Sequence, residues 1–185
     1  MWPLLFLSIT SLTCIFERVS YWKKSILINE NKLNRAVDEK IQSIIEGDYE
    51  ISILGTLGQE DYPFLSKILP MYKNNKIYIL ISDLSEHTQN IMLNNKVSFY
   101  YSMKEINNTK LNNPRLTLIG IITKLELNKN SQQYLDLLKD YKNVDKGSKM
   151  WGMFSDFNFY FFKPKRALFI EGFGKAYQKL YTNNL

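Results

Sequence analysis

The clearest alternation of apolar and polar positions is "PRLTLIGIITKLEL" (114–127), which is long, β-branched and predicts a strand. "YEISILGTLG" (49–58), "YPFLSKILPMY" (62–72), "KIYILIS" (76–82) and "KVSFYYS" (96–102) read the same way, with the turn "KNN" between the second and third of these. "DFNFYFFKPKRALFIEGFGKAY" (156–177) predicts two more strands joined by a turn at Pro164. Helical spacing is confined to three segments. Leu33, Val37, Ile41, Ile44 and Ile45 place an amphipathic helix over 33–48, with Gly47 at its stop. The segment 84–94 forms a short helix, and "SQQYLDLLKDY" (131–141) a third, capped by serine. "KEINNTKLNN" (104–113) is a polar loop. Six or seven strands with inserted helices and no βαβ alternation predict an α+β, mainly β fold: sequential antiparallel strands closing into a barrel or split barrel. The 185 residues form one such domain over 33–185, preceded by an extension, 1–32, that is weakly structured or docked.

Composition narrows the chemistry. The chain is 45% hydrophobic and 14% aromatic, as a packed protein is. Its 24 basic and 18 acidic residues give a charge of +6, spread along the length without a dense basic cluster, a zinc-finger spacing or an RNA-binding aromatic motif. Nucleic acid is therefore excluded as a partner, whereas an anionic small ligand fits. One cysteine, Cys14, and one histidine, His87, exclude an intramolecular disulfide and a zinc site of the usual kind. No G-x-S-x-G elbow supports a hydrolase triad. The apolar run 2–16 lacks a basic flank and a small-residue cleavage site. It is also shorter than the roughly 20 residues a spanning helix needs, so no stable membrane insertion is expected. These features are compatible with a cytoplasmic location.

Four stretches carry candidate chemistry. In "SDLSEHTQNI" (82–91), Asp83 and Glu86 have the spacing of an N-cap and its third residue, and a helix start of this kind favours anions. Leu84, Thr88 and Ile91 form the apolar stripe that His87 borders. Capping chemistry alone also explains Ser82, Asp83 and Ser85. In "FLSK" (64–67), alternation puts Ser66 with Phe64 on one face and Lys67 with Leu65 on the other, so Lys67 either reaches a rim or meets an anion. Arg115 opens an otherwise apolar strand and suits carboxylate or phosphate, or marks the strand end. "EGFGKAY" (171–177) has glycines that let a strand bend, and "KMWGMFSDFNFY" (149–160) reads as core or dimer interface.

In this order, "SDLSEHTQN", "NNPRLTLIG" and "GFGKAY" resemble the pyridoxamine-phosphate-oxidase-like FMN-binding split barrels, and within them the haem-utilisation (HugZ-type) branch, over about residues 35–178. The resemblance implies a homodimer of six-stranded antiparallel split barrels with haem or FMN in the groove between subunits. The cofactor-binding positions it implies are Ser66, Lys67, Ser82, His87, Thr88, Asn90 and Arg115, with no metal ligand and no catalytic residue assigned. The activity it implies is oxidative haem opening or an FMN-dependent oxidation, with a cofactor-free binding module as the third reading. Two departures stand out. His87-Thr88 replaces the Arg-Lys pair of the flavin oxidases, and the chain ends "AYQKLYTNNL" without the branch's histidine, leaving Tyr177 or Tyr181 as substitutes.

Overall fold

The structure is a computed structural model that describes residues 33–105, 108 and 112–181. The extension 1–32 and part of the polar loop 104–113 lie outside the described residues. The chain divides into two units, Met1–Lys40 and Ile41–Leu185. Helix α1 (33–46) crosses that boundary, and its second-unit residues Ile41, Ile44 and Ile45 are buried. Gly47 ends it at φ 137°, a conformation that favours glycine.

The second unit holds β1 (Ile51–Leu57), a 3₁₀ turn (Gln59–Asp61), β2 (Pro63–Lys67), β3 (Met71–Lys73), β4 (Lys76–Ser82), α2 (Glu86–Leu93) and β5 (Lys96–Ser102). After these come β6 (Arg115–Lys124), α3 (Gln132–Tyr141), α4 (Ser148–Trp151), β7 (Phe157–Gly172) and β8 (Lys175–Leu180). Every pairing is antiparallel, and one sheet runs β2-β1-β5-β6-β7-β4-β3 with β8 added to β7. Its two ends, β2 and β3, are joined by residues 68–70 alone, so the chain itself draws the two edges of the sheet together. That connection was expected to be one strand over 62–72. Pro70, which has no N–H to donate, lies in the break, and the sheet has eight strands where the pattern predicts six or seven and the resemblance six.

The turn expected at Pro164 is a correction of a different kind. β7 runs straight through that residue, and a register shift sets Gly120 opposite Pro164 but Ile119 opposite Arg166. Lys165 is thus the extra residue of a β-bulge, a position in a strand that tolerates proline. The bulge also changes the phase of burial. Tyr160 and Phe162 face inward before it, Ala167 and Phe169 after it, so one long strand feeds the core along its whole length. The hairpin comes later, at Phe173-Gly174, with Gly174 at φ 77°.

The core has two parts. Leu54, Phe99, Tyr101, Leu116, Leu118 and Phe162 fill the interior of the sheet, with the rings of Phe99 and Phe162 stacked at 4.2 Å. A second cluster lies on the other side of β4 and the first half of β7. There Leu80 and Phe159 meet Tyr134, Leu137, Leu138 and Tyr141 of α3, with Trp151 packed against it. Part of the aromatic stretch 149–160 is therefore core, whereas Met150, Met153 and Phe154 stay exposed. Helices α3 and α4 cover only that corner, and among the described residues no helix covers the opposite outer face of the sheet.

Candidate functional site

Register places the residues of the open face. Directly paired residues in an antiparallel ladder point to the same side. Lys67 pairs with Ile53, Ile53 with Tyr100, Tyr100 with Thr117, and Thr117 with Leu168. The neighbouring row runs Leu65, Gly55, Ser98, Ile119 and Arg166, and the row beyond Lys67 runs Ile51, Ser102, Arg115 and Ile170. These are the outward rows. Leu65 is 68% exposed and Leu180 67%, and Ile51, Ile119 and Leu168 are also exposed. Lys67 and Arg115 therefore share one face, three strand steps and two residues of register or about 16 Å apart, with Ile51, Ile53 and Tyr100 between them. Arg115 also donates to the Asn113 carbonyl at 3.2 Å, which braces it at the strand start.

Ser66, paired with Leu54, points the opposite way, into the barrel. Its Oγ is enclosed there without a hydrogen-bond partner, as are Ser52 Oγ and Tyr101 OH. Phe169, fully enclosed, pairs with Tyr177 and stacks on it at 6.2 Å, so Tyr177 belongs to the inward side and not to the Lys67–Arg115 face.

The residues around α2 form a separate group. Thr88 Oγ1 donates to the Ser82 carbonyl at 2.7 Å, and Asn90 Nδ2 donates to Thr56 Oγ1 at 3.1 Å, tying the helix to the end of β1. Thr88 and Asn90 are buried, so both side chains are committed to holding α2. Lys67 closes β2 at the end away from the Gly58–Pro63 turn that borders α2. The structure thus gathers Ser82, His87, Thr88 and Asn90 at one helix, and Lys67 with Arg115 on the open face.

The capping box expected of Asp83 and Glu86 is absent. Ser85 is the N-cap, without a side-chain cap bond, and the helix runs 86–93 instead of 84–94. Asp83 instead accepts from Lys124 Nζ at 2.8 Å, Asn158 Nδ2 at 2.8 Å and Tyr160 OH at 3.1 Å. Three donors from β6 and β7 outbid two amides of a short helix. The same network presses the Tyr160 hydroxyl well above the usual phenol range, by burial first and the adjacent carboxylate second. Sequence reading missed this cluster because its members are 41 to 77 residues from Asp83 along the chain. Leu84, expected in the apolar stripe, is 81% exposed, while Thr88 and Ile91 are buried as expected.

His87 sits half-buried on the inward edge of α2. Its Nε2 is enclosed without a hydrogen-bond partner, and burial pulls the imidazole below its ordinary pKa. A base whose folded pKa is depressed stabilises the fold above the unfolded value of about 6.5, and that stability is lost as pH falls through the folded value. The melting temperature should therefore decline from pH 7 toward pH 5, and His87→Gln should flatten the decline. An unchanged slope in His87→Gln would place the titrating group elsewhere. With one histidine in the chain, a single imidazole signal followed by NMR reads the same shift directly.

Among the described residues, no helix is long and apolar enough to cross a membrane and no cluster of His, Cys, Asp and Glu could hold a metal. Residues 51–181 match the family model described as CREG, beta-barrel. No curated protein matches the sequence. Among solved structures, the fold is similar to that of Campylobacter jejuni ChuZ, with a TM-score of 0.69 and 23% identity over 79% of this chain and 60% of that one. It is also similar to a haem-binding protein from Mycobacterium smegmatis, with a TM-score of 0.65 and 19% identity over 74% of this chain and 55% of that one. A third is a general stress protein 26 relative of the pyridoxine-phosphate oxidase family from Clostridium acetobutylicum, with a TM-score of 0.53 and 15% identity over 80% and 94% of the two chains. This chain thus spans little more than half the length of the first two.

Proposed function

Because the chain belongs to the CREG β-barrel family, a split-barrel fold shared with the structures above, we propose that it binds haem on its open sheet face, between two copies of itself in the cytoplasm. The observation that carries this is the placement of Lys67 and Arg115 on one outward face, with Ile51, Ile53 and Tyr100 between them and Ile119 and Leu168 on the same face beyond. A flat, apolar ligand with two acidic groups needs such a surface: a floor for its plane and cations at its margins. The second copy would close the groove from above. Haem binding is stated of the mycobacterial relative, which supports the choice of ligand.

The residues present fit the acidic groups and the plane better than they fit the iron. His87 is neutral enough to ligate a metal, but its Nε2 is enclosed in this chain, and Tyr177 faces inward. We therefore assign the axial role to neither: His87 belongs with the α2 group, apart from the Lys67–Arg115 face. Haem, when bound, would supply the oxygen chemistry of a degrading enzyme. This chain's own residues bind, orient and exclude water.

FMN is the second reading, favoured by the oxidase-family relative and by the same two cations, one of which would take its phosphate. There the flavin would carry a hydride or electron chemistry and the protein its orientation. A cofactor-free binding module is the third.

One experiment separates them. Purified protein is titrated with haemin and with FMN, following a Soret band and flavin fluorescence. A Soret shift that weakens about tenfold in Lys67→Ala and again in Arg115→Ala supports haem, since each charge-assisted contact contributes on the order of 1.5–3 kcal/mol. Flavin quenching with the same dependence selects FMN, and no response to either selects the module. His87→Ala, away from that face, should leave the binding unchanged, and a loss of the Soret shift in it would move the site to α2.

A further inference from the structure

Among the described residues four tyrosines are fully buried, Tyr101, Tyr134, Tyr141 and Tyr160. Three of them have a partner for the hydroxyl. Tyr134 OH donates to the Gly152 carbonyl, Tyr141 OH to the Leu69 carbonyl at 2.5 Å and Tyr160 OH to Asp83 at 3.1 Å. Tyr101 OH has none. Its phenol is pushed well above the ordinary value, by burial first and the nearby Tyr49 second, so it remains an O–H donor at physiological pH. A buried donor without an acceptor gives up its hydration and gains nothing in return.

Tyr101 does not stand alone. It pairs directly with Ser52 across β1 and β5, so both point to the inner side of that wall. Ser66, paired with Leu54, is the diagonal neighbour of Ser52 across β1 and β2. Ser52 is 1% exposed, and the Oγ atoms of both serines are enclosed without a partner. The Ser52 carbonyl is already taken by the Ile68 N–H at 3.1 Å. Thr56, the next hydroxyl along the inner side of β1, shows the alternative, since it accepts from Asn90 Nδ2 at 3.1 Å. At Ser52, Ser66 and Tyr101 none of the described groups plays that part.

Geometry and size favour one kind of partner. Diagonal neighbours lie about 7 Å apart or less at Cβ, a gap that one water bonded at roughly 2.8 Å to each oxygen spans. Two serines also fill less space than two aliphatic side chains would, and they do so at the place where the oxygens need a bond.

We propose that this wall of β1, β2 and β5 is a binding site for internal water, with one molecule bridging Ser52 Oγ and Ser66 Oγ and Tyr101 OH donating into the same small cluster. Waters in such sites make about three hydrogen bonds to otherwise unpaired buried groups and belong to the fold. The three hydroxyls face away from Lys67 and Arg115, so the inference does not rest on the haem or FMN reading.

The test uses the full chain and three variants: Tyr101→Phe, Ser66→Ala, and Ser52→Ala combined with Ser66→Ala. Oxygen-17 relaxation dispersion counts long-lived internal water, and thermal melts give the sign of each change. The double serine variant should lose at least one long-lived water. Tyr101→Phe and Ser66→Ala should each lower the melting temperature by about 2–4 °C, as the loss of a satisfied hydrogen bond does. A dry wall gives the opposite sign, because each change then deletes a hydroxyl that was desolvated without compensation. Each single variant removes one oxygen and keeps the shape, so the fold survives to be measured. The proposal is overturned if the double variant keeps the dispersion of the parent, or if either single variant melts at or above the parent.

Discussion

Gly120→Ala should produce a markedly destabilised protein. Gly120 sits in β6 opposite Pro164, at the bulge. A methyl there would overlap the Lys163 carbonyl oxygen and lie 2.9 Å from two carbons of the Phe162 ring. Neither neighbour can yield: the carbonyl is backbone in the middle of a sheet, and Phe162 is fully enclosed and stacked on Phe99. Overpacking of this kind costs about 3 kcal/mol or more, which at roughly 2–4 °C per kcal/mol lowers the melting temperature by about 6–12 °C. Gly174→Ala provides the contrast. Its φ of 77° strains any side chain, but nothing lies within 4 Å of the added methyl, so the cost should stay near 1–2 kcal/mol. Thermal melts of the two variants side by side would read the difference, and equal melting temperatures would refute the bulge geometry.

Much of this was legible because burial and chemistry were local. The alternation in 114–127 gave a strand whose inward residues, Leu116, Leu118 and Ile122, are all enclosed, and the phase of "FLSK" correctly set Ser66 and Lys67 on opposite sides. What the sequence hid depended on partners far along the chain. Pro164 reads locally as a turn because the alternation breaks there, and only the pairing with Gly120 reveals a bulge that restores it. Asp83 reads as a cap because its nearest amides belong to a helix, yet Lys124, Asn158 and Tyr160 take its carboxylate. The Lys67–Arg115 juxtaposition is likewise a fact of strand order: β2 and β6 are brought to one face by the intervening β1 and β5, and no spacing along the chain encodes that.

Leu168→Asp should convert a dimer to a monomer and remove cofactor binding with it. The open face offers Ile51, Leu65, Ile119, Leu168 and Leu180 to solvent in a single chain, and Leu168 stands beside the Thr117–Tyr100 row that leads to Lys67. Apolar residues gathered on one sheet face favour association, and an isologous pair is the simplest way to cover them. Removing a leucine forfeits about 1.5–3 kcal/mol of burial, and placing a carboxylate in the contact adds several more. Two-fold symmetry imposes the change twice, so a total of at least about 4 kcal/mol, or roughly a thousandfold in the dimer constant, is expected. Because Leu168 is already 37% exposed in one chain, the monomer itself should melt nearly as before. Phe154→Asp, at the exposed end of the aromatic stretch, is the comparison. Light scattering at micromolar protein should give the dimer mass for the parent and for Phe154→Asp, and half that mass for Leu168→Asp. If Phe154→Asp is the variant that dissociates, the contact lies beside α4, and the open face must owe its cations to something other than a shared groove.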